Sequence, residues 1–313
     1  MSIVSLSKEN ILVIKLGALG DFIYALGAMK AIRLHHPQAH ITLLTTNPYE
    51  SLVRASGYCD EIILDPRPKL FEFKKILDWR KCLNSQNFKR VYDLQNNDRT
   101  ALYFKLFSPK PEWVGAVSGA SHQNASKDRT KFHAVTGHRQ TLAGGGIASV
   151  ELDDLSWMVP SKEIILPKDS VLIVAGSAPS RPQKRWPSRY YHELCQLLIV
   201  KNFHPVLLGT DSERAVNSEI AKDLKVTDLT GQTTIYDLPF LARQSIGAIG
   251  NDTGPIHMLS VTGMKLLALF NSDESNIQKH APQGKGSYAI ETDNFESLSP
   301  EIVLNKFLEI IKA

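Results

Sequence analysis

Short apolar runs alternate with amphipathic stretches along most of the chain. The runs Ile11-Leu12-Val13-Ile14 and Val171-Leu172-Ile173-Val174 contain only apolar residues, a pattern typical of strands that are buried on both faces. After the first run, apolar residues from Phe22 to Ile32 recur at helical spacing, and Pro37 marks the end of that helix. Because this alternation is typical of parallel sheets with helices on both faces, we predict an α/β fold.

The alternation occurs as two similar series with an irregular region between them. Predicted strands lie at 11–14, 41–45, 61–64, 91–94 and 113–117 in the first series, and at 171–174, 205–208, 226–229, 245–249 and 266–270 in the second. Residues 118–146 are rich in Ser, Gly, His and basic residues, so we predict a mobile loop there with room for a short helix. The predicted organisation is an N-terminal domain over 1–155, a linker over 156–168, a second domain over 169–299 and a C-terminal helix over 300–313 that packs back toward the first domain.

Composition and charge narrow the class of protein. The chain has 313 residues, of which 43% are hydrophobic and 22% charged, as in soluble globular proteins of two domains. Residues 1–150 carry 20 Lys and Arg against 12 Asp and Glu, whereas residues 151–313 carry 16 against 20. A basic first half suits an anionic partner such as a phosphorylated substrate, nucleic acid or an acidic lipid surface, although surface charge also drifts by this much without a function.

The cysteines and the longest apolar runs indicate where in the cell the protein is found. Cys59, Cys82 and Cys195 are far apart and have neither metal-ligand nor disulfide spacing, which favours a reducing cytoplasm. No apolar run approaches the roughly 18 residues needed to cross a bilayer. We therefore expect a cytoplasmic protein whose membrane contact, if it has one, is peripheral. His35 and His36 are adjacent but have no acidic partners, so no metal site is predicted.

The stretch after the run 245–249 carries the most informative polar residues. It continues as Gly250-Asn251-Asp252-Thr253-Gly254-Pro255 and then becomes helical until Gly263. Thr253 suits the N-cap, and Pro255 suits the first turn, where a proline costs no hydrogen bond. Such a turn presents backbone amides and the positive end of a helix dipole, which can bind phosphate, but the same residues also occur in ordinary strand-to-helix turns.

Two further loops carry polar groups at predicted strand ends. Gly17-x-x-Gly20-Asp21 follows the first strand, and its Asp21 is a candidate helix N-cap or a general base facing a cleft. Gly176-Ser177 follows the first strand of the second domain and precedes a basic loop over 181–187. Lys184 in that loop is either a solvated side chain or a charge that neutralises a diphosphate.

Two side chains of the 250–258 stretch each have two possible roles. Asp252 is a candidate helix cap or a ligand of a sugar hydroxyl. His257 is a candidate hydrogen-bond donor to a phosphate or a buried structural residue. Together the three loops predict a nucleotide-type ligand in a cleft between the domains, because open α/β sheets bind ligands at the carboxyl ends of their strands. This pattern does not name the reaction.

Three blocks of the sequence, and one shorter pattern, resemble a known family. They are Lys15-Leu16-Gly17-Ala18-Leu19-Gly20-Asp21; Gly176-Ser177 with Lys184-Arg185-Trp186-Pro187 and Glu213-Arg214; Gly250-Asn251-Asp252-Thr253-Gly254-Pro255-x-His257; and Asp93-Leu94-Gln95 with Arg99. In order and spacing they are similar to the ADP-heptose–lipopolysaccharide heptosyltransferases, glycosyltransferase family 9. The resemblance covers nearly the whole chain.

The resemblance implies a fold, a reaction and roles for individual residues. The fold is GT-B, with two facing Rossmann-like domains, and the reaction is inverting, metal-free sugar transfer without a cofactor. Asp21 would deprotonate the acceptor hydroxyl, while Lys184 and the amides around Thr253 and Gly254 would stabilise the leaving diphosphate. The implied donor-binding residues are Gly20, Ser177, Lys184, Glu213, Asp252, Thr253, Gly254 and His257.

The resemblance also implies the partners. The donor would be a nucleotide-sugar, ADP-heptose, and the acceptor an anionic glycolipid, the lipid A–Kdo core at the inner membrane. Arg99, Lys131 and Arg139 are the candidate acceptor-binding residues. Gly27 stands where the family often has Pro, and Asn271 where Gly commonly follows the strand, so the donor base and sugar stay open.

Three other functions compete with this hypothesis. A nicotinamide-dependent oxidoreductase would use the same layers, but neither Gly loop has the full G-x-G-x-x-G fingerprint. A non-catalytic nucleotide-sugar-binding protein on the same fold would also bind the donor, so donor binding does not separate the two hypotheses, whereas the effect of Asp21→Ala on transfer does. Nucleic-acid binding by the basic half lacks a recognised module, and we expect none.

Overall fold

The computed structural model describes residues 8–177 and 180–312. The chain divides into two compact units, Met1–Leu152 and Asp153–Ala313, and each unit contains one six-stranded sheet. Every strand pair within the described residues is parallel. The predicted α/β class with two parallel sheets is therefore confirmed.

The first unit alternates strands and helices from its start. Its strands are β1 (Asn10–Ile14), β2 (His40–Thr45), β3 (Glu61–Leu64), β4 (Arg90–Asp93), β5 (Glu112–Gly115) and β6 (His122–Gln123). Its helices are α1 (Leu19–His35), α2 (Glu50–Ser56), α3 (Phe73–Ser85), α4 (Asp98–Leu106) and α5 (Ala134–Gly144). The strands lie in the order β3-β2-β1-β4-β5-β6, so the order reverses between β1 and β4.

The second unit repeats this arrangement. Its strands are β7 (Ser170–Val174), β8 (His204–Leu207), β9 (Thr227–Asp228), β10 (Gly247–Asn251), β11 (Leu266–Asn271) and β12 (Ser287–Thr292). Its helices are α6 (Ser188–Val200), α7 (Arg214–Ala221), α8 (Leu238–Gln244), α9 (Gly254–Val261), α10 (Ile277–His280) and α11 (Pro300–Lys312). The order β12-β11-β10-β7-β8-β9 places the reversal between β7 and β10.

Each unit has its own apolar core. In the first, Leu12 and Ile14 of β1 pack in one cluster with Trp79 of α3 and Tyr103 of α4, whose rings meet edge to face at 5.6 Å between centroids. In the second, the cluster joins β7, α6 and α11 through the buried side chains of Ile173, Tyr191 and Phe307, and Trp186 from the loop before α6 packs with them. These cores explain why the continuous apolar runs predicted strands correctly, since both faces of the central strands are covered.

The region predicted as a mobile loop, residues 118–146, contains regular structure. It includes the edge strand β6 and the 11-residue helix α5. The buried side of α5 carries His138 and Thr141 beside Val135 and Leu142. Polar residues on the buried side weaken the apolar periodicity, which is why the sequence indicated a loop with at most a short helix. Helices α4 and α8 and the edge strand β12 were not predicted either.

The residues before β7 pack on the second unit without forming a helix or strand. The amide of Ser161 donates to the Asp237 carboxylate at 2.6 Å, and the amide of Leu166 donates to the side chain of Gln244 at 3.2 Å. The apolar face of α11 lies in the core of the same unit. The predicted domain bounds, and the packing of the C-terminal helix toward the first domain, stay predictions. Among the described helices, none has the length and apolar character to cross a membrane.

Candidate functional site

The point where the strand order reverses is the expected ligand site of each sheet. Ligands of open α/β sheets bind outside the carboxyl ends of the strands at such reversal points. In the first unit these ends belong to β1 and β4, and in the second to β7 and β10. The Gly17–Asp21 loop follows β1, the Gly176-Ser177 loop follows β7, and Asp252 and Thr253 follow β10. All three loops singled out in the sequence therefore lie at reversal points.

Asn251 joins the two strand ends of the second unit. This fully buried residue ends β10, and its side-chain amide donates to the Ala175 carbonyl, just beyond β7, at 2.7 Å. Its side-chain oxygen accepts hydrogen bonds from the Trp186 amide at 3.1 Å and the Tyr191 hydroxyl at 2.9 Å. The basic loop and α6 are thereby held against β10. Sequence analysis gave Asn251 no role, because its partners are at least 60 residues away in the chain.

Asp252 binds three side chains from three different segments. The Lys184 ammonium donates to its Oδ2 at 2.5 Å, and so does the Ser275 hydroxyl at 2.6 Å. The Nε2 of His257 lies 3.2 Å from its Oδ1. We call Lys184, Asp252, His257 and Ser275 the Asp252 cluster. The first three side chains are at most 13% exposed, so the cluster is mostly shielded from water.

The Asp252 carboxylate is ionised in this setting. Burial alone raises the pKa of Asp252, but hydrogen bonds from His257, Lys184 and Ser275 outweigh it and hold the pKa well below its usual range. A fixed negative charge thus positions an ammonium and an imidazole at the edge of the sheet. This arrangement can present positive charge and hydrogen-bond donors to an anion without a flexible side chain having to be ordered first.

Helix α9 begins beside the cluster. Thr253 is its N-cap and Pro255 lies in its first turn, as predicted, but the Thr253 hydroxyl caps no backbone amide. That hydroxyl is buried and has no hydrogen-bond partner within the described residues. The first-turn amides of Gly254 and Ile256 have no acceptor inside the helix. The helix start therefore supplies donors and a positive dipole end next to Lys184 and His257.

The other donor-side residues line the end of β7 and the loop after β8. The Ser177 hydroxyl donates to the Arg181 carbonyl at 3.0 Å and accepts from the Arg185 guanidinium at 3.0 Å. The Glu213 carboxylate accepts from the Thr210 amide at 2.8 Å. A Cβ on Gly176 would lie 2.7 Å from the Glu213 Cγ, so glycine allows this close approach. Both side chains shape the loops, and their binding to a donor stays a prediction.

Asp21 lies in the first turn of α1 and is exposed. The N-cap of this helix is Ala18, so the reading of Asp21 as the N-cap is wrong; Gly20 precedes it in the helix. Gly17 has φ +131°, and a Cβ there would lie 2.9 Å from the Tyr49 ring. The Tyr49 ring stacks on Phe22 at 4.4 Å between centroids. The Asp21 carboxylate therefore lies at the positive end of α1 with access to solvent.

A pocket of about 590 Å³ opens beside this loop within the first unit. Its walls are formed by Leu16, Gly17, Ala18, Thr46, Asn47, Pro48, Tyr49, Asp65, Arg67, Gln95, Asn97 and Arg99. Arg67 and Arg99 supply positive charge, and Tyr103 links the walls by donating to Asp65 at 2.5 Å. Burial raises the pKa of Tyr49. The positive charge of Arg67 lowers this pKa, and the negative charge of Asp21 raises it further.

Of the three candidate acceptor-binding residues, one lines the pocket and two lie outside its wall. Arg99 lines the pocket, as its candidate role requires. Lys131 is exposed and pairs with Asp128 at 2.6 Å, and Arg139 donates to the Val150 carbonyl at 3.0 Å; neither belongs to the pocket wall. Arg67 was missed, although its place three residues after the predicted strand 61–64 was a usable signal.

Two buried charged residues, Lys15 and Asp93, lie close to residues of the pocket wall in the chain. Lys15 is 4% and Asp93 1% exposed, and they follow and end the neighbouring strands β1 and β4. Burial raises the pKa of Asp93 to about 6, against the hydrogen bonds and the Lys15 charge that lower it. Burial lowers the pKa of Lys15, while the charges of Asp21 and Asp93 raise it. Both carboxylates therefore favour the charged form of the buried Lys15.

No metal centre is evident in residues 8–177 and 180–312. No group of three or more His, Cys, Asp or Glu side chains in these ranges is arranged to hold a metal ion. The free thiols Cys59, Cys82 and Cys195 remain apart. The expectation of metal-free chemistry without a cofactor stays a prediction, because it concerns the reaction.

Comparisons with known proteins give concordant results. The family model described as glycosyltransferase family 9 (heptosyltransferase) matches residues 76–297, a range that excludes the loop with Asp21. Lipopolysaccharide heptosyltransferase 2 of Escherichia coli K12 is 23% identical over 288 residues, which cover 83% of this chain and 82% of its own length.

Solved structures share the fold over nearly the full chain. A glycosyltransferase family 9 protein from Veillonella parvula has a TM-score of 0.77 with 18% identity and covers 97% of both chains. The E. coli heptosyltransferase WaaC with ADP has a TM-score of 0.72 with 15% identity, over 96% of this chain and 99% of its own. These likenesses confirm the predicted GT-B fold. Since the family model also matches well over half of the sequence, the chain is a glycosyltransferase and belongs to glycosyltransferase family 9.

Proposed function

We propose that this protein transfers a heptose from ADP-heptose to a lipopolysaccharide core acceptor, with inversion and without a metal. The observation that carries the proposal is the Asp252 cluster beside the start of α9, at the strand reversal of the second unit. It combines a fixed ammonium, an imidazole and first-turn amides in one shielded place. A diphosphate leaving group needs these donors as its negative charge grows.

The donor half of the proposal rests on this cluster. Lys184 and His257 would contact the diphosphate, helped by the amides of Thr253 and Gly254, while Asp252 holds both side chains in place. Relatives support the identity of the donor, since WaaC was solved with ADP and with ADP-2-deoxy-2-fluoro heptose. Ser177, Glu213 and Gly20 complete the proposed donor-binding residues.

Asp21 is the proposed base. Its exposed carboxylate would take the proton of the acceptor hydroxyl as that oxygen forms a bond to the anomeric carbon. The bond from this carbon to the diphosphate oxygen breaks in the same step, and ADP leaves with the electron pair. One displacement of this kind inverts the anomeric configuration. The stabilisation of charge on ADP by Lys184 replaces the role that a divalent metal has elsewhere.

The acceptor would bind in the pocket of the first unit. Its rim carries Arg67 and Arg99, which suit the phosphate and carboxylate groups of a lipid A–Kdo core. The E. coli relative is named a lipopolysaccharide heptosyltransferase, which supports this acceptor class. Peripheral contact with the cytoplasmic face of the inner membrane belongs to the same proposal.

Replacing Asp21 tests the proposed reaction. We expect Asp21→Ala to lower the transfer of heptose from ADP-heptose to purified acceptor by roughly 10³-fold, as for the loss of a general base. The affinity for ADP should stay within about threefold of the parent's, because the groups proposed to bind the nucleotide are on other residues. Glu301→Ala is the matched control, since Glu301 is also an acid in the first turn of a helix, and it should keep the parent rate.

Three outcomes would contradict the proposal. Transfer by Asp21→Ala at the parent rate would exclude Asp21 as the base. Loss of the parent's activity in EDTA, restored by a divalent metal, would exclude the metal-free mechanism. A chain that binds ADP-heptose but shows no transfer to any core acceptor would instead be a nucleotide-sugar-binding protein.

A further inference from the structure

Exposed apolar side chains concentrate in one segment of the first unit. Large apolar residues with high exposure cluster there, namely Leu64, Leu70, Phe71, Phe73 and Leu77. Elsewhere in the described chain such residues are spread out, as with Ile165 and Val200. Single exposed apolar residues need no explanation, but a contiguous set of them marks an interaction site.

The most exposed pair occupies the tip of a turn. The amide of Glu72 donates to the Lys69 carbonyl at 2.9 Å, which places Leu70 and Phe71 at the two central positions of a β-turn. These side chains are 74% and 70% exposed. Turn centres normally carry Gly, Pro, Asn, Asp or Ser, so neither side chain serves the turn or the core.

The turn is held in a defined shape. The Glu72 carboxylate accepts a hydrogen bond from the Lys69 amide at 2.8 Å and forms an ion pair with Lys75. The turn leads directly into α3, whose buried residues Trp79 and Leu83 anchor it in the core. The fold therefore presents Leu70 and Phe71 to solvent on a fixed support.

The start of α3 extends the apolar tip. Phe73 and Leu77 are four residues apart, so they lie on one side of the helix, and they are 74% and 55% exposed. Trp79 and Leu83 lie on a different side, which faces the core. An amphipathic helix with a second, solvent-facing apolar strip has more apolar surface than its own unit buries.

Basic residues surround this apolar surface. Residues 64–81 contain six Lys and Arg and three Asp and Glu, and the basic ones near the tip and along α3 are exposed, namely Lys69, Lys74, Lys75, Arg80 and Lys81. The Lys69 ammonium lies 5.7 Å from the centre of the Phe71 ring. Apolar side chains with cations beside them match the two layers of an anionic bilayer surface, acyl chains below and phosphates above.

We propose that Leu70, Phe71, Phe73 and Leu77, with the basic residues around them, dock this protein on an anionic lipid bilayer. We call them the Leu70–Leu77 surface. Leu70 and Phe71 enter the boundary between head groups and acyl chains, and the lysines bind lipid phosphates. The same loop carries Asp65 and Arg67 of the pocket wall. Docking would therefore bring the pocket to membrane-anchored acceptors, a consequence that rests on the proposed function.

Vesicle binding by the full chain tests the proposal. Phosphatidylcholine vesicles with an equal part of phosphatidylglycerol should sediment the protein, and vesicles of phosphatidylcholine alone should bind it more weakly. The Leu70→Ser, Phe71→Ser double variant should lose about tenfold or more in partitioning, because two large apolar side chains no longer insert. The Ile165→Ser, Val200→Ser double variant removes equally exposed side chains elsewhere and should bind like the parent.

Two further measurements separate the possible outcomes. The Leu70→Ser, Phe71→Ser variant should unfold at the parent's temperature, since these side chains have no core contacts, so lost binding cannot be attributed to misfolding. A Trp at position 71 (Phe71→Trp) should be quenched by brominated lipid chains, whereas Val200→Trp should not. Equal vesicle binding by the Ser variant and the parent would overturn the proposal. So would dimerisation that the Ser variant abolishes, without vesicle binding by the parent, because the surface would then join two copies of the chain.

The result is independent of the proposed reaction. Vesicle binding without any heptose transfer would leave docking intact and remove the proposed function. Transfer to a water-soluble acceptor without vesicle binding would leave the proposed reaction intact and overturn the docking proposal.

Discussion

Asp252 shows how much one carboxylate can organise. Its oxygens receive Lys184 from the basic loop, His257 from α9 and Ser275 from the segment after β11. The local sequence predicted that Asp252 is either a helix cap or a ligand of a sugar hydroxyl, because it shows only the residues that are neighbours in the chain. The ion pair with Lys184 spans 68 residues and could not be found by spacing. The pairing shows that Asp252 positions Lys184 and His257, and their contact with the donor diphosphate stays part of the proposal.

Replacing Lys184 should affect both rate and stability. Lys184→Ala should lower the transfer rate about 10²-fold, the usual loss for one group that stabilises charge in the transition state. It also leaves the buried Asp252 carboxylate with fewer donors, so the free energy of unfolding should fall by about 1–3 kcal/mol.

Steady-state kinetics at saturating donor and urea unfolding measure these two effects. Lys201→Ala is the control, because Lys201 is exposed in the same unit, and it should change neither quantity. A lower stability with an unchanged rate would reduce Lys184 to a structural residue.

At the level of elements, close packing of strands decides where glycine is required. Gly250 lies in β10 between β7 and β11. A Cβ at this position would lie 2.6 Å from the Val174 carbonyl oxygen and 2.7 Å from the Val174 Cβ. The backbone of β7 cannot move away without breaking the reversal point that supports the Asp252 cluster.

We therefore expect Gly250→Ala to destabilise the protein by about 1–3 kcal/mol or more, as overpacked sites do. It should also weaken ADP binding, because Asn251 and Asp252 follow directly. Gly144→Ala is the control: Gly144 is in a helix and a Cβ there meets nothing within 4 Å, so alanine should preserve or raise the stability. Thermal unfolding with and without ADP reports both effects, and a fully stable Gly250→Ala protein would contradict the packing argument.

The sequence predicted the elements unequally well. Central strands such as β1 and β7 were predicted to within a residue, because burial on both faces leaves a continuous apolar run. Strand β10 was predicted two residues too early, since Gly250 and Asn251 favour a turn locally. In the sheet, Gly250 pairs with both β7 and β11, and Asn251 pairs with β11. Helix α5 was hidden by the buried polar residues His138 and Thr141. Tertiary contacts overrode local preference in both cases.

At the scale of the molecule, the two units share one strand order. Each sheet reverses between its first and fourth strands, and each reversal point carries a loop that the sequence had singled out. The two sites differ in chemistry. The first unit offers the carboxylate of Asp21 beside a pocket with two arginines, and the second offers the Asp252 cluster and the start of α9. This division is what a reaction between an acceptor and a charged donor needs.

The preference among nucleotides is a property of the whole protein. ADP should raise the temperature of unfolding more than UDP or GDP does at equal concentration, because a ligand that binds only the folded state stabilises it. At a concentration 100 times the Kd the gain is about 2.7 kcal/mol. A thermal-shift series over the three nucleotides measures the preference, and adenosine without phosphates is the control for the contribution of the diphosphate. A larger shift with UDP or GDP would exclude ADP-heptose as the preferred donor.

The sequence by itself determined the fold class, the repeat of two α/β units, the three loops at strand ends and the family resemblance. These follow from local rules, since apolar periodicity, helix-start residues and short motifs are all read within a few residues of one another. Only the tertiary structure decided which polar groups meet. It tied Asp252 to Lys184 and Asn251 to the end of β7, brought Arg67 and Arg99 to one pocket without Lys131 and Arg139, and left Leu70 and Phe71 outside the core. Contacts between distant segments depend on how strands are ordered and how side chains pack, and one sequence does not display that order.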